Sequence, residues 1–322
     1  MTIALAGDVH FEGALRGRLE APATALARLT STLAAADVAV VNLETSVGSG
    51  GRPDPTKRFA FQAPPSTFAA LRAAGVDVAT MANNHALDFG REPLPATFAA
   101  MDRAATQDPP LAVVGLGRDV ADAFAPAVVD VGGTLVSTIG ATVADQDPTA
   151  DRTGQWAATP DSPGTADAIA DPERLLRAVR SADRSTDVVV VYLHWGIQGE
   201  RCPSDDQRRL ARSLVDAGAD VVAGSHTHGL QGDGRLDGPR GQGYVAYGLG
   251  NYAWYTPTEL TGVLTLSVQP AAERDSRARV TDAAWSPASI GADGLPVPLR
   301  GAAEQDARDE IASLRGCAGF SD

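Results

Sequence analysis

The five histidines of the 322-residue chain all follow short apolar runs of the kind that form β-strands. They are His10, His85, His194, His226 and His228. In α/β proteins, sites form where parallel strands end and loops begin. The Glu44 carboxylate follows the apolar run at 38–43 in the same way. This placement predicts that the six side chains meet in one site at the strand ends.

The types and spacing of these residues suit a centre with two metal ions. Asp8 and His10 are two residues apart, so both can point to the same side of a strand or tight turn, and His226 and His228 repeat this spacing. Glu44 is suited to bridge two ions, and Asn84 can supply a neutral amide oxygen. Two ions about 3.5–4 Å apart can ionise a water molecule and hold a substrate. Mixed nitrogen and oxygen ligands favour Mn, Fe or Zn over Mg or Ca.

Each residue also has an ordinary structural explanation. A single histidine at a strand end is more often a hydrogen-bonded structural residue than a ligand. Asp8 alone can cap a turn, Asn83 and Asn84 can form one, and His194 can pack in a core beside Trp195. Independent accidents would place some histidines on helices or in polar loops, which the sequence does not do. The joint pattern therefore favours a metal centre.

The elements that must position these residues alternate between strands and alanine-rich helices. Strands are predicted over 3–6, 38–43, 77–81, 112–114, 126–131, 134–141, 187–193 and 221–223, with later, antiparallel strands at 244–247 and 263–268. Helices are predicted over 21–36, 65–74, 94–104, 173–182, 204–217 and 304–314. This alternation predicts an α/β fold with a mixed sheet and helices outside it.

Two segments interrupt the pattern. Residues 144–165 are rich in Asp, Pro, Thr and Gly and are too long for a simple connection, so they form either a flexible excursion or a lid. The chain after Pro270 is polar, ends in the last predicted helix, and carries Cys317 in a short flexible tail. We therefore expect a main domain over 1–270 and an extension over 271–322 that packs on it.

Composition argues against several functions. The formal net charge of −13 disfavours a nucleic-acid partner, because duplex binding needs a cationic surface. Two cysteines are too few for a disulfide framework or a structural zinc site. No apolar stretch approaches the roughly 20 residues that span a bilayer, and the N-terminus lacks the features of a signal peptide. The sequence thus predicts a cytoplasmic protein without a membrane span.

Five motifs occur in a recognisable order along the chain. They are Gly-Asp-Val at 7–9, Val-Asn-Leu-Glu-Thr at 41–45, Ala-Asn-Asn-His-Ala-Leu-Asp-Phe-Gly at 82–90, His-Trp-Gly at 194–196 and Gly-Ala-Asp-Val-Val-Ala-Gly-Ser-His-Thr-His at 218–228. Supporting blocks lie at 57–65, 73–78 and 247–252. From about residue 3 to about residue 268, the ordered set resembles the CapA family of bacterial capsule or poly-γ-glutamate synthesis proteins, in the calcineurin-like metallophosphatase superfamily.

The resemblance implies a four-layer αββα sandwich with its site at the strand ends. The ligands that it implies for one metal are Asp8, His10, Glu44 and His228, and those for the second are Glu44, Asn84, His194 and His226. His85 would be a histidine near the leaving group that binds no metal. Asp88 either orients His85 or is a first-turn helix residue. Many similar proteins have Met or another residue in place of His10, and many are membrane-anchored or secreted.

This implied ligand set points to a hydrolase. A hydroxide bridging two metals would attack a phosphate ester of an anionic small molecule or polymer, with His85 as the acid. Arg58 and Asn251, each in one of the supporting blocks, are the expected substrate-binding residues. Two alternatives stay open: cleavage or formation of γ-glutamyl amide bonds by the same centre, and a non-catalytic role in a polymer-synthesis complex.

Overall fold

The computed structural model describes residues 1–239, 241–271 and 277–320. The α-helices of these residues are α1 Pro22–Ala25, α2 Ala27–Leu33, α3 Ser66–Ala73, α4 Leu94–Thr106, α5 Val120–Ala123, α6 Pro172–Ser185, α7 Asp205–Ala217 and α8 Ala302–Ala318. Short 3-10 helices span Gly13–Glu20, Ala144–Gln146 and Gly154–Trp156. Local sequence sets the ends of α7: the side chains of Ser204 and Gln207 each accept the other's backbone N–H, and Gly218 follows the helix at a φ of 123°.

The strands lie between these helices. In chain order they are β1 Thr2–Val9, β2 Val38–Leu43, β3 Ser46–Val47, β4 Gln62–Ala63, β5 Val78–Thr80, β6 Ala112–Val114, β7 Leu116–Gly117, β8 Ala127–Val131, β9 Thr134–Thr142, β10 Gly164–Thr165, β11 Val188–His194, β12 Val221–Ser225, β13 Asp233–Gly238, β14 Gly241–Ala246, β15 Asn251–Ala253, β16 Thr258–Gln269, β17 Arg279–Ile290 and β18 Pro296–Pro298.

Two large mixed sheets contain most of the strands. The first has the order β18-β17-β16-β1-β2-β5-β6, with β15 also paired to β1, and the second has the order β13-β14-β12-β11-β9-β8. Strands β1, β2, β5 and β6 are mutually parallel, as are β9, β11, β12 and β14. The carboxyl ends of each parallel set therefore meet at one edge of its sheet.

The two sheets pack face to face, and helices cover their outer faces. Alternate residues of β1 point in opposite directions: Leu5 lies in the core between the sheets, and Ala4 lies in the core with the helices α1–α4. In the second sheet, Val190 faces the inner core and Val191 packs with α6 and α7. Burial on both faces explains the unbroken apolar runs of the central strands. The predicted four-layer αββα sandwich is confirmed.

Two local predictions were wrong, and a third was confirmed only in part. The helix expected over 21–36 is two helices, because the backbone leaves helical geometry at Leu26. The strand expected near 244–247 is antiparallel only to β13 and runs parallel to β12, whereas β16 is antiparallel to β1 as predicted. Cys317 lies in α8, where it forms a disulfide with Cys202 across a Cα–Cα distance of 5.5 Å, rather than in a flexible tail.

The chain after Pro270 contains more structure than its polar composition indicated. Strand β17 pairs along β16 and extends the first sheet, and Ile311 and Leu314 of α8 lie in the core between the sheets. Many residues of β17 are exposed, so its composition is polar and hides the strand from a search for apolar runs. Residues 272–276 and 321–322 of the predicted extension lie outside the described residues. Within the described residues, no helix combines the length and apolar character needed to cross a membrane.

Candidate metal centre

The polar residues predicted to form a site lie at the carboxyl ends of strands from both sheets. Asp8 is near the end of β1, and Glu44 directly follows β2. Asn84 lies in the turn after β5. His194 is the last residue of β11, and His226 directly follows β12. The face-to-face packing of the sheets brings these five residues together in the interior.

Asp8, Glu44 and His194 form the centre of this group. All three are fully buried, and one possible ligand atom from each lies within 4.8 Å of the others. Neither carboxylate oxygen of Glu44 has a hydrogen-bond partner among the described residues. Burial, together with the Asp8 carboxylate, raises the pKa of Glu44 well above its usual value. Buried carboxylates are costly unless they are paired or bind a cation, so this donor set fits divalent metal ions.

Three atoms that can offer lone pairs lie close to the Nε2 atom of His194. Its Nε2 lies 2.8 Å from Asn84 Oδ1, 3.1 Å from His226 Nδ1 and 3.6 Å from Glu44 Oε1. Burial, and then the neighbouring histidines, lowers the pKa of His194 well below its usual value, so the ring is neutral near neutral pH. Neutral imidazoles, an amide oxygen and a carboxylate are the ligands that Mn, Fe and Zn accept.

The last two histidines lie on strained backbone. His226 has a φ of 92° and His228 a φ of 59°. Residues other than glycine seldom adopt positive φ, and such strain concentrates at functional sites. His228 Nδ1 lies 2.8 Å from Asn251 Oδ1 and 3.7 Å from Asp8 Oδ2. Because Asn251 Oδ1 accepts the Nδ1 proton, the lone pair of His228 is on Nε2.

His10 has different neighbours from the other histidines. Its ring stacks on Trp254 at 3.9 Å, and its Nε2 accepts the backbone N–H of Tyr255 at 3.0 Å. Its Nδ1 is buried and has no hydrogen-bond partner among the described residues. A neutral imidazole that accepts at Nε2 carries its proton on Nδ1. His10 in this arrangement therefore has no lone pair for a metal, and the predicted ligand role requires release of the Tyr255 N–H.

His85 and Asp88 form a close pair beside the ligand group. His85 Nδ1 lies 2.6 Å from Asp88 Oδ2, and its Nε2 lies 3.7 Å from Glu44 Oε1. Phe61 stacks on the His85 ring at 4.3 Å. Burial lowers the pKa of His85 to about 4, although the Asp88 carboxylate opposes this shift. Residues 84–89 form turns rather than a helix, so Asp88 does not begin a helix, and its carboxylate contacts the His85 ring.

Lys57, which the sequence analysis did not assign to the site, contacts Asp88. Its Nζ lies 2.6 Å from Asp88 Oδ1 and also donates to the backbone oxygen of Asn84. The contact with Asp88 is an ion pair rather than a well-directed hydrogen bond. Both side chains of the pair are fully buried. The signal for Lys57 was present in the sequence, since it is the only lysine of the chain and begins one of the supporting blocks.

Arg58, the residue that the sequence analysis favoured for substrate binding, faces the segment 144–165 instead. Its side chain is 61% exposed and pairs with Asp151 at 3.5 Å. Its guanidinium also donates to the backbone oxygen of Thr149. From the same segment Asp147, a second residue that sequence reasoning missed, contacts His226 at 3.2 Å. Hydrogen bonds from His226 and Gln198 outweigh burial and hold the pKa of Asp147 below its usual range.

Two solved structures share the fold of this chain. A hypothetical protein from Thermus thermophilus matches with a TM-score of 0.52 and 16% identity, over 90% of this chain and 99% of that one. A novel phosphatase from Mycoplasma pneumoniae matches with a TM-score of 0.50 and 14% identity, over 88% of this chain and 92% of that one. The fold is thus of the metallophosphatase type, and the Asp8–Glu44–His194 group is a candidate metal site at its strand ends.

Within this class, the chain belongs to the family of bacterial capsule synthesis protein PGA_cap, whose model matches residues 2–255. The predicted CapA resemblance is confirmed. The PGA biosynthesis protein CapA of Bacillus subtilis (strain 168) is 33% identical over 186 residues, which are 57% of this chain and 44% of that protein. A Mycobacterium tuberculosis (strain CDC 1551 / Oshkosh) protein named "Probable polyglutamine synthesis accessory protein MT0602" is 32% identical over 235 residues, which are 69% of this chain and 59% of that protein. The matched regions therefore span about half the length of these relatives.

Proposed function

We propose that this protein is a divalent-metal-dependent hydrolase that acts on a phosphate ester of an anionic small molecule or polymer. The observation that carries the proposal is the fully buried Glu44 carboxylate, which has no hydrogen-bond partner among the described residues and lies within the Asp8–His194 group. The residues that would hold one ion are Asp8, Glu44, His228 and, once free of Tyr255, His10, and those for the other are Glu44, Asn84, His194 and His226. Bound Mn, Fe or Zn would lower the pKa of a water molecule and offset negative charge on the substrate.

His85 is the side chain that donates a proton to the leaving group in this proposal. Its Nδ1–H donates to Asp88, so Nε2 is the atom that exchanges a proton. This Nε2 faces the ligand group, 3.7 Å from Glu44 Oε1. The ring is neutral near neutral pH because burial lowers its pKa to about 4. An anionic substrate beside the ring favours the protonated form, which can donate to a leaving group.

Amide chemistry is a second candidate, favoured by membership of the PGA_cap family. The same ligand set can polarise a carbonyl group as well as a phosphoryl group. In this version the substrate is a γ-glutamyl link, and His85 Nε2 protonates the departing nitrogen. The exposed guanidinium of Arg58, which pairs with Asp151 of the segment 144–165, would attract the carboxylates of such a polymer.

Two variants and a small substrate panel test the proposal. Purified wild type, His85→Ala and Glu44→Ala are assayed for bound metal by elemental analysis and for hydrolysis of an aryl phosphate, an aryl phosphodiester and a γ-glutamyl anilide with Mn added. We expect His85→Ala to keep its metal and lose about 10²–10⁴-fold in turnover, the usual contribution of a positioned acid. Glu44→Ala should lose both metal and turnover.

The outcomes separate the alternatives. Hydrolysis of the anilide alone would favour amide chemistry over phosphate chemistry. Full activity in His85→Ala would contradict the role given to His85. A wild-type protein that holds no transition metal and hydrolyses none of the substrates would refute the enzymatic proposal and favour a non-catalytic subunit of a polymer-synthesis complex.

A further inference from the structure

The segment 144–165, between β9 and α6, reaches the candidate metal centre through the side chain of Asp147. Asp147 is 3% exposed, and its Oδ2 lies 3.2 Å from His226 Nε2. The two residues are 79 positions apart in the chain. Both side chains of the pair are fully buried, so the contact belongs to the interior of the site and not to its surface.

Other donors fix the Asp147 carboxylate in one orientation. Its Oδ2 also accepts the backbone N–H of Gln198 at 2.9 Å. Its Oδ1 accepts the backbone N–H and the hydroxyl of Thr149, each at 2.7 Å. A carboxylate with these three donors cannot rotate away without losing them. It therefore presents a preorganised acceptor to the Nε2–H of His226.

An acceptor at Nε2 decides which nitrogen of His226 carries the proton. A neutral imidazole with its proton on Nε2 has its lone pair on Nδ1. In this structure Nδ1 is the atom that faces the ligand group, 3.1 Å from His194 Nε2. Carboxylates that accept from the second nitrogen of a metal-binding histidine orient the ring and make it a better ligand.

We infer that Asp147 holds His226 in the tautomer and orientation that metal binding needs. The segment 144–165 therefore contributes to metal binding through Asp147. This inference rests on the proposed metal-dependent function. Two further contacts connect the segment to Lys57 and Arg58. Asp151 accepts the backbone N–H of Arg58 at 3.0 Å, and the Trp156 ring lies 4.6 Å from Lys57 Nζ.

Two measurements test the role of Asp147. The first is nitrogen-15 NMR of the histidines in the metal-free wild type, where His226 should show a protonated Nε2 and an unprotonated Nδ1. The second is calorimetric titration with Mn²⁺ and Zn²⁺. Asp147→Ala should bind one of the two ions about 10–100-fold more weakly, the usual effect of losing such a carboxylate, and should leave the other ion unaffected. Asp147→Glu should recover part of the loss.

Asp145→Ala is the matched control. Asp145 belongs to the same segment and accepts the backbone N–H and hydroxyl of Thr153, but no histidine contact is found for it in the described residues. It should bind both ions like the wild type. Equal affinities in Asp147→Ala and Asp145→Ala, or a protonated Nδ1 on His226 in the wild type, would overturn the inference and leave the proposed function standing. A wild type that binds no metal would overturn both.

Discussion

Replacing Lys57 with methionine should strongly destabilise the metal-free protein. Lys57 Nζ and Asp88 Oδ1 are 2.6 Å apart, and both side chains are fully buried. Removing one partner of a buried ion pair leaves an uncompensated charge and costs about 3–5 kcal/mol of the free energy of unfolding. Methionine keeps the apolar stem of lysine, so the loss reports the charge and not a cavity.

The position of Asp88 places the expected loss at the upper end of that range. Its Oδ2 accepts the Phe61 N–H at 2.7 Å and contacts His85 Nδ1 at 2.6 Å, so the carboxylate cannot turn toward solvent without breaking both contacts. The Asp88 charge also disfavours ionisation of the buried Glu44. Without Lys57, less positive charge lies near the buried Asp88 and Glu44 carboxylates.

The assay is urea unfolding followed by circular dichroism near neutral pH, in the presence of a chelator. Arg58→Met is the matched control, because Arg58 is the next residue and its side chain is 61% exposed. Its pair with Asp151 is separated by 3.5 Å. Exposed pairs of this kind contribute up to about 1 kcal/mol. The double variant Lys57→Met/Asp88→Asn should be more stable than Lys57→Met, since it also removes the Asp88 charge that has lost its partner.

Two results would refute this reasoning. One is a Lys57→Met protein whose free energy of unfolding matches that of Arg58→Met. The other is a double variant no more stable than Lys57→Met, which would mean that the loss does not come from the unpaired Asp88 carboxylate.

Three further predictions follow from single contacts. Gly7→Ala should lower the free energy of unfolding by about 1–3 kcal/mol, because a Cβ there would lie 1.8 Å from the backbone oxygen of Gly250. Gly17→Ala is the control in the same urea assay and should have no such effect, because its Cβ would meet nothing within 4 Å. Glu44→Gln should be more stable than wild type when both are metal-free, because burial raises the pKa of Glu44 well above its usual value and glutamine removes the cost of that shift; it should also bind less metal, and equal urea midpoints would contradict the stability prediction. Reduction of the Cys202–Cys317 disulfide, whose cysteines are 115 positions apart, should lower the free energy of unfolding by about 2–5 kcal/mol. The measurement is urea unfolding with and without reductant, and the stability of Cys202→Ser should not respond to the reductant.

Much of the fold, and the placement of the polar residues at the strand ends, could be predicted because both depend on local patterns. The apolar runs at 38–43 and 188–194 mark strands that are buried on both faces, and Glu44 and His194 lie where those runs end. Strand–helix alternation was enough to predict an α/β fold with a mixed sheet and outer helices, whereas the four-layer sandwich was predicted from the family resemblance. Strand β17 escaped prediction because many of its residues face solvent, and a half-exposed strand carries no apolar run.

The contacts inside the site depend on segments that are distant in sequence. Lys57 and Arg58 are adjacent and both cationic, yet the turn that carries them buries Lys57 against Asp88 and leaves Arg58 at the surface. No local pattern predicts such a difference, because it depends on which side of the turn meets the rest of the fold. The same holds for Asp147, which lies in a segment without periodicity.

His10 illustrates most directly the difference between what local sequence predicts and what contacts between distant segments determine. Its spacing from Asp8 predicts a ligand, but the approach of the Tyr255 backbone, 245 positions away, determines which of its nitrogens has a lone pair. The sequence by itself determined which chemical groups gather at the strand ends, because strand periodicity is local. Only the tertiary structure decided which atoms of those groups face one another, because that depends on how the two sheets and the segment 144–165 pack together.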